Sequence, residues 1–182
     1  MTQLDERPTS AGVHTTVPAL RIRPYESTDA DGVRAMSARL SRRSLYERFF
    51  AGTPWLPPMY LNALAKADHN DREVLLAVTG GPAMDGGEMV IGIAEYIRDR
   101  EVPELADLAV LVADGWQRRG VARRLVMRLG MLAAARGIAG FKADALMTNR
   151  AALAAIASIW PEERGRRDGT TTSFTLPVNA LC

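Results

Sequence analysis

The feature that most constrains this chain is a short basic turn between an apolar strand and an amphipathic helix. Residues 105–113 form an apolar run of strand length, and apolar residues then recur at three- and four-residue spacing over 121–133. The turn and the first helical turn contain four arginines, Arg118, Arg119, Arg123 and Arg124. Because a helix N-terminus presents unpaired N–H groups and the positive end of the helix dipole, this order predicts a site for a phosphate or pyrophosphate.

Small residues in the turn predict that a ligand approaches the backbone closely. Gly120 leaves the main chain uncovered, and Ala122 keeps the opening of the helix narrow. The chain contains neither G-x-x-x-x-G-K-[S/T] nor G-x-G-x-x-G, which disfavours a P-loop nucleotidase and a dinucleotide-binding domain.

Composition narrows the class of protein further. With 182 residues, 47% of them hydrophobic and 6% aromatic, the chain predicts one compact domain with an aliphatic core. A net charge of +2 favours a local anionic ligand over a nucleic-acid partner. The single cysteine, Cys182, fits a reducing cytoplasm, and we expect neither export nor a membrane partner, because there is no apolar signal or membrane-spanning run.

Periodicity predicts a mixed α/β chain with one folded unit at 19–178 and a disordered tail at 1–18. Six strands are predicted, at 20–25, 73–79, 89–97, 105–113, 141–146 and 170–176. Helices are predicted from a cap at Asp29 to about 40, from a start at Ser41 over 42–50, over 59–67, from 121 to a stop at Gly137, and from a cap at Asn149 to 159. The order has an antiparallel middle and a final βαβ crossover, so we expect a mixed sheet.

Three segments carry a resemblance to a known family. Gln117-x-x-Gly120-x-Ala122 resembles the Q/R-x-x-G-x-G/A signature of the GNAT superfamily of acyl-CoA-dependent N-acetyltransferases. Residues 40–50 and 106–114 resemble segments of the GNAT domains of bacterial protein lysine acyltransferases, as does the helix start at 149–151. The resemblance extends from 20 to about 177 and implies a single-domain GNAT acyl-CoA N-acyltransferase fold.

In that family the fourth and fifth strands splay apart, and the pantetheine arm of acyl-CoA enters the gap. The resemblance therefore implies acetyl-CoA, or another acyl-CoA, as co-substrate, with no metal. It implies pairing of the pantetheine arm with the fourth strand and a backbone N–H near Leu111 for the oxyanion. The implied acyl-CoA contacts are Val110, Leu111, Val112, Gln117, Arg118, Arg119, Gly120, Val121, Ala122 and Asn149.

The same likeness points to a catalytic carboxylate. Asp107 stands where such relatives usually carry the Glu proposed as the base, and an apolar strand should desolvate it. Glu95 and Asp144 are alternatives, as is water alone. Many GNAT enzymes have a Tyr about seven residues after the helix-opening Asn, but 155–158 contains none, so solvent or the proton of the incoming amine would protonate the thiolate.

The sequence therefore predicts transfer of an acetyl or short acyl group to a primary amine, with protein lysine as the first choice of acceptor. A small-molecule amine and a non-catalytic acyl-CoA sensor remain open. We expect His14 and His69 to be inert because neither has a metal-like or triad-like partner at useful spacing. Trp116 and Trp160 are expected to be packing residues at the ends of elements.

Overall fold

A seven-stranded mixed sheet organises the computed structural model, which describes residues 20–80 and 87–181. The strands are β1 Arg21–Pro24, β2 Arg72–Gly80, β3 Glu88–Arg98, β4 Leu105–Val112, β5 Gly140–Leu146, β6 Arg166–Asp168 and β7 Thr171–Pro177. The helices are α1 Ala30–Ser37, α2 Arg42–Phe49, α3 Pro58–Leu64, α4 Val121–Ala135 and α5 Arg150–Ile159. The predicted tail at 1–18 and most of the predicted loop at 80–87 lie outside the described residues.

The strands follow the order β1-β2-β3-β4-β5-β7-β6. Only the β4–β5 pair is parallel among the described strands, and every other pair is antiparallel. This arrangement confirms the predicted mixed sheet with an antiparallel middle and a βαβ crossover through α4. Strand β6 was not predicted, since its three residues are all exposed and show no apolar alternation.

Each face of the sheet carries its own apolar core. On one face, α4 contributes Leu125 and Leu129, which pack with Ala106 and Phe141 from β4 and β5. On the other face, α1, α2 and α3 cover the N-terminal strands, and Leu111 of β4 belongs to this second core. Side chains of β4 therefore alternate between the two layers, as the two-residue period of a strand requires.

The helical layer of α1 to α3 covers only part of its face. Glu95 on β3 is buried, whereas Ile97, two residues further along the same strand, is 42% exposed. The row that crosses the sheet at Ile97 continues through Asp107 on β4 to Lys142 on β5. The side chains of this row are partly or largely exposed to solvent. They define the part of the sheet that α1 to α3 leave uncovered, which we call the open sheet face.

The helix ends agree with the sequence in most places. Ser41 and Asn149 are N-caps whose side chains accept from the N–H groups of Ser44 and Ala152, and Gly137 follows α4 with φ 76°. Asp29 is the N-cap residue of α1, as expected, but its side chain makes no capping hydrogen bond to that helix. Its carboxylate instead accepts from the Glu26 N–H and from an arginine of β1, so it stabilises the short 3₁₀ turn before the helix.

The longest helix that the structure describes is α4, with 15 residues, and none of the described helices is long and apolar enough to span a lipid bilayer. Trp160 follows α5, is buried, and donates its indole N–H to the Pro177 carbonyl at 2.9 Å. Trp116 is partly buried and packs against both cores. Both tryptophans are therefore packing residues, as the sequence predicted.

Candidate functional site

The gap between β4 and β5 is the central feature of the candidate site. Parallel pairing joins the two strands only where residues 105–107 meet residues 140–142, and it ends at the pair Asp107 and Lys142. Beyond this point β4 continues to Val112 and β5 to Leu146 without pairing to each other. The splay that the family resemblance implied is therefore present.

Hydrogen bonds at the two ends of β4 fix the direction of its main-chain groups. Ala113 N–H donates to the Ile91 carbonyl at 2.9 Å, and the Leu105 carbonyl accepts from Asp99 N–H at 2.9 Å. Because successive residues of a strand direct these groups to opposite sides, every odd-numbered residue of β4 bonds toward β3. The even-numbered residues beyond the last β5 pair direct their main-chain groups into the gap; they are Leu108, Val110 and Val112.

This alternation changes one expectation from the sequence. Leu111 was expected to pair with a ligand arm and to lie near the oxyanion, but its main-chain groups are directed to β3 and its side chain is buried in the core beneath α1 to α3. The N–H groups of Val110 and Val112 are the ones that face the gap. The register of the antiparallel ladder decides this point, and the apolar sequence of β4 does not reveal it.

Gln117 holds the end of β4 in place. Its Nε2 lies 3.1 Å from the Val112 carbonyl, 3.1 Å from Ser44 Oγ and 3.2 Å from Asp114 Oδ1. The side chain therefore joins β4, the following loop and the first turn of α2. A residue that the sequence placed on the pyrophosphate acts in this structure as a brace for the loop.

The basic turn opens α4 with two residues in left-handed conformation. Arg118 has φ 58° and Gly120 has φ 77°. The first helical bond runs from Arg124 N–H to the Gly120 carbonyl at 3.1 Å, which leaves the N–H groups of 121–123 without an intrahelical partner. A Cβ placed on Gly120 would meet no atom of residues 20–80 and 87–181 within 4 Å, so these residues leave open space above the turn.

The charges of this turn have no carboxylate partner in the part of the chain that the structure describes. Within residues 20–80 and 87–181, the side chains of Arg118, Arg119, Arg123 and Arg124 form no ion pair with a carboxylate. Arg119 lies over the ring of Trp116, with its guanidinium carbon 5.4 Å from the ring centroid. Unpaired guanidinium groups and free N–H groups at one helix start give an environment suited to a phosphorylated ligand.

Asn149 caps α5 through its side-chain oxygen, which accepts from Ala152 N–H at 3.0 Å. This position lies three residues after the end of β5, the strand that forms the other wall of the gap. The capping role is confirmed, and it leaves the predicted contact with acyl-CoA as a proposal.

Asp107 lies on the open sheet face and not in an apolar setting. Its side chain is 65% exposed, and Oδ1 lies 3.2 Å from Lys142 Nζ. The expected desolvation of this carboxylate by its strand is wrong, because the α1 to α3 layer ends before the row that contains it. Lys142 in turn contacts Asp99 at 2.5 Å, which places one ammonium between two carboxylates.

The two alternative carboxylates occupy different settings. Glu95 is 3% exposed, and its two oxygens accept from Arg48 at 2.8 Å and Arg72 at 2.6 Å. Two guanidinium groups thus occupy the atoms that a base would need. Asp144 is exposed on β5, where the strand has already separated from β4.

The buried position of Tyr60 and the neighbouring charge of Glu95 change the pKa of the Tyr60 hydroxyl. The pKa of the Tyr60 hydroxyl is raised well above its ordinary value, chiefly by desolvation and then by the neighbouring Glu95 carboxylate. Arg48 lies over the rings of both Phe49 and Tyr60, at 4.8 and 5.3 Å from their centroids. The contacts among Arg48, Tyr60 and Glu95 connect α2 and α3 to β3, beside the open sheet face.

His69 has a partner that sequence spacing did not identify. Its Nδ1 lies 2.7 Å from Glu73 Oε1, and the other oxygen of Glu73 lies 2.8 Å from Arg136. Arg136 also donates to Tyr96 at 2.8 Å and lies just after the C-terminal end of α4, far along the helix from the basic turn. No group of three metal-binding side chains occurs in the part of the chain that the structure describes.

Lys142 and Asp99 were missed by the sequence analysis. Their contact joins residues 43 apart in the chain and so has no local pattern. One signal was available, because lysine is unusual here: of the 23 lysine and arginine residues, only Lys66 and Lys142 are lysines.

Comparison with known proteins agrees with this geometry. Residues 40–158 match the family described as the acetyltransferase (GNAT) family, so the chain belongs to the GNAT acetyltransferases. The GNAT domain of S. lividans PAT is 26% identical, with a TM-score of 0.75 over 87% of this chain and 90% of that one.

Two more distant structures share the fold. The yncA protein of Salmonella typhimurium, solved with its cofactor acetyl-CoA, is 17% identical, with a TM-score of 0.67 over 88% of this chain and 94% of that one. A cAMP-binding acyltransferase of Mycobacterium smegmatis is 22% identical, with a TM-score of 0.58 over 89% of this chain and 45% of that one. Family membership supports acyl transfer at the level of the family, and the two more distant structures show the shared fold.

Proposed function

We propose that this protein transfers an acetyl or short acyl group from acyl-CoA to the side-chain amine of a protein lysine. The observation that carries the proposal is the position of Asp107, on an open sheet face at the point where β4 and β5 separate. An amine that approaches over this face meets a carboxylate beside the gap. The resemblance of 40–50 and 106–114 to protein lysine acyltransferases supports lysine as the acceptor.

The proposed acyl-CoA site follows the gap and the basic turn. The pyrophosphate would lie at the start of α4, against the free N–H groups and the unpaired arginines of 118–124. The pantetheine arm would run along β4 and pair with main-chain groups of Val110 and Val112. One carbonyl in that row already has a partner, because Val112 accepts from Gln117.

A base is useful for this reaction. A lysine amine with an ordinary pKa near 10.4 is neutral in only about one molecule per few thousand at pH 7. In the proposed step Asp107 receives the proton of the acceptor ammonium, and the neutral nitrogen attacks the thioester carbonyl in a ternary complex. The new C–N bond forms and the C–S bond breaks as CoA leaves.

Main-chain groups would stabilise the intermediate. The N–H of Val110 faces the gap and is the proposed donor to the oxyanion. The helix α5 offers no tyrosine at 155–158 to protonate the thiolate, so the proton from the amine or from solvent serves that purpose. Exposure of Asp107 favours rapid exchange of its proton with water.

Two other functions remain candidates. A small-molecule amine would use the same open face. A non-catalytic acyl-CoA sensor is favoured by the shorter Asp at 107 and by the missing tyrosine. The single cysteine, Cys182, is what supports a cytoplasmic setting for any of them.

The test is release of CoA thiol from acetyl-CoA by the purified protein, with lysine peptides, cell-extract proteins and small amines as separate acceptors. Calorimetry measures CoA binding in parallel. Release with lysine peptides supports the proposal, and release only with small amines replaces it with the second candidate. Tight CoA binding without any acceptor-dependent release favours the sensor, while no CoA binding contradicts the assigned site.

A further inference from the structure

Lysine is almost absent from this chain. Of its 23 basic residues, 21 are arginines, and the two lysines are Lys66 and Lys142. Lys66 is exposed in the segment after α3. Lys142 is the β5 residue that pairs with Asp107, immediately before the two strands separate.

Ion pairing alone does not explain a lysine at this position. The chain uses arginine for its buried pairs with Glu73 and Glu95, where the planar guanidinium suits two-oxygen contacts. Lys142 instead places a single nitrogen between Asp107 Oδ1 at 3.2 Å and Asp99 Oδ2 at 2.5 Å. That nitrogen is a primary amine, and it lies beside the proposed base, Asp107. The amine of an acceptor would have to occupy the same position.

The same nitrogen lies within reach of the proposed thioester position. Val110 lies three residues beyond Asp107, the β4 partner of Lys142, and so about 10 Å further along the strand at the rise of an extended chain. A lysine side chain is flexible and spans about 6 Å, and a carbonyl carbon whose oxygen accepts from the Val110 N–H lies about 4 Å from that nitrogen, so the two lengths together cover the distance. The side chain is 37% exposed, and it turns toward the gap by giving up its contact with Asp99.

We propose that Lys142 is a self-acetylation site, an inference that rests on the proposed function. Asp107 takes one proton from the Lys142 ammonium, and the neutral Nζ attacks the carbonyl carbon of acetyl-CoA. A C–N bond forms, and as the C–S bond breaks the nitrogen loses a second proton, which the CoA thiolate takes up. Asp107 releases the first proton to water. The products are acetylated Lys142 and free CoA, and the resulting neutral amide leaves Asp99 and Asp107 without their cation.

The experiment incubates the full chain with acetyl-CoA and follows both lysines by peptide mass mapping over time. Lys66 is the built-in control, because reaction without catalysis favours the more exposed amine. We expect Lys142 to be acetylated at least ten times faster than Lys66, at a fractional rate that does not change with protein concentration. Equal acetylation, or faster acetylation of Lys66, overturns the proposal.

Variants sharpen the result. Asp107→Asn should slow Lys142 acetylation at least tenfold without changing the rate at Lys66, and an unchanged Lys142 rate contradicts the mechanism. Lys66→Arg should leave Lys142 acetylation intact. Lys142→Arg keeps a cation between the two carboxylates and should abolish the modification, while its thermal unfolding reports whether the fold is retained.

Failure of this inference can be told apart from failure of the proposed function. If CoA binds by calorimetry and external amines are acetylated while Lys142 stays unmodified, the inference is overturned and the acyltransferase stands. If CoA does not bind, both are overturned.

Discussion

Ser44 Oγ lies 2.7 Å from Asp114 Oδ1, and this hydrogen bond joins the first turn of α2 to the loop that leads to the basic turn. The other carboxylate oxygen of Asp114 accepts from Ser41 N–H at 3.0 Å. Two of the segments on which the family resemblance rests are therefore in direct contact. Through Asp114, Ser41 and Ser44 at the start of α2 fix the loop that leads to the proposed pyrophosphate site.

Replacement of Asp114 by Ala should loosen that turn. We expect CoA affinity to fall about tenfold and the free energy of unfolding to fall by about 1 to 2 kcal/mol, because hydrogen bonds from Ser41 and Ser44 are lost together. Calorimetry and urea denaturation measure the two effects. Asp31→Ala is the control, since that carboxylate is 93% exposed. Equal CoA affinity in the two variants would contradict the bracing role.

Asp107→Asn should lower kcat/KM at least tenfold while CoA affinity stays unchanged, because the amide cannot accept the proton of the ammonium. Steady-state thiol release and calorimetry provide the two readings. Asp144→Asn removes another exposed carboxylate, from the next strand of the sheet, and should retain most activity. If activity is lost in Asp144→Asn and retained in Asp107→Asn, Asp144 replaces Asp107 as the base.

Gly120→Ala separates backbone strain from ligand contact. At φ 77° an alanine is strained, so the free energy of unfolding should fall by about 1 kcal/mol, although the new Cβ meets no atom of the described residues within 4 Å. CoA affinity should fall as well, because the methyl group enters the space proposed for the pyrophosphate. Gly115→Ala, which has equal room and no left-handed backbone, should preserve both quantities. Unchanged CoA affinity in the Gly120 variant would place the ligand elsewhere.

Glu95→Gln tests whether this buried carboxylate is structural. The variant leaves Arg48 and Arg72 without an anion, so we expect a loss of about 3 kcal/mol in the free energy of unfolding, measured in urea. Glu104→Gln, at an exposed carboxylate before β4, should change it by less than about 0.5 kcal/mol. Full stability combined with lost turnover would instead identify Glu95 as the base.

Acid sensitivity should report the Asp99–Lys142 pair. Hydrogen bonding from Lys142, followed by the N–H groups of Glu101 and Val102, lowers the pKa of Asp99 from 3.8 to about 2. A lowered carboxyl pKa stabilises the folded state above pH 3.8, and that contribution is lost as the pH falls toward 2. The Tm difference between wild type and Asp99→Asn at low salt should therefore narrow from pH 5 to pH 2. A constant difference would show that the pair does not form in solution.

Local patterns were enough to locate most elements. Strand alternation, helical spacing and the caps at Ser41 and Asn149 depend on neighbours within a few residues, so the sequence contains them. Strand β6 lacked any such pattern, since Arg166–Asp168 is entirely polar and exposed. Its pairing with β7 is a tertiary property.

The candidate site likewise contains some features that local patterns predict and others that depend on residues distant in the chain. The basic turn followed from the order of strand, turn and helix, and the gap was implied by the family resemblance. The exposure of Asp107, in contrast, depended on where a distant helical layer ends. The exclusion of Leu111 from the gap depended on the hydrogen-bonding register with β3. Glu95 and Arg48 are 47 residues apart, and no local rule predicts such a pair.

The short parallel pairing between β4 and β5, which covers three residues of each strand, has a thermodynamic consequence. It leaves strand edges that a bound ligand can bridge. The stability of the contact between strands β1 to β4 and strands β5 to β7 therefore depends on ligand concentration. By mass action, a ligand at 100 times its Kd adds about 2.7 kcal/mol to the free energy of unfolding. The concentration of the proposed acyl-CoA ligand would in this way set the thermodynamic stability of the folded protein as well as its catalytic rate.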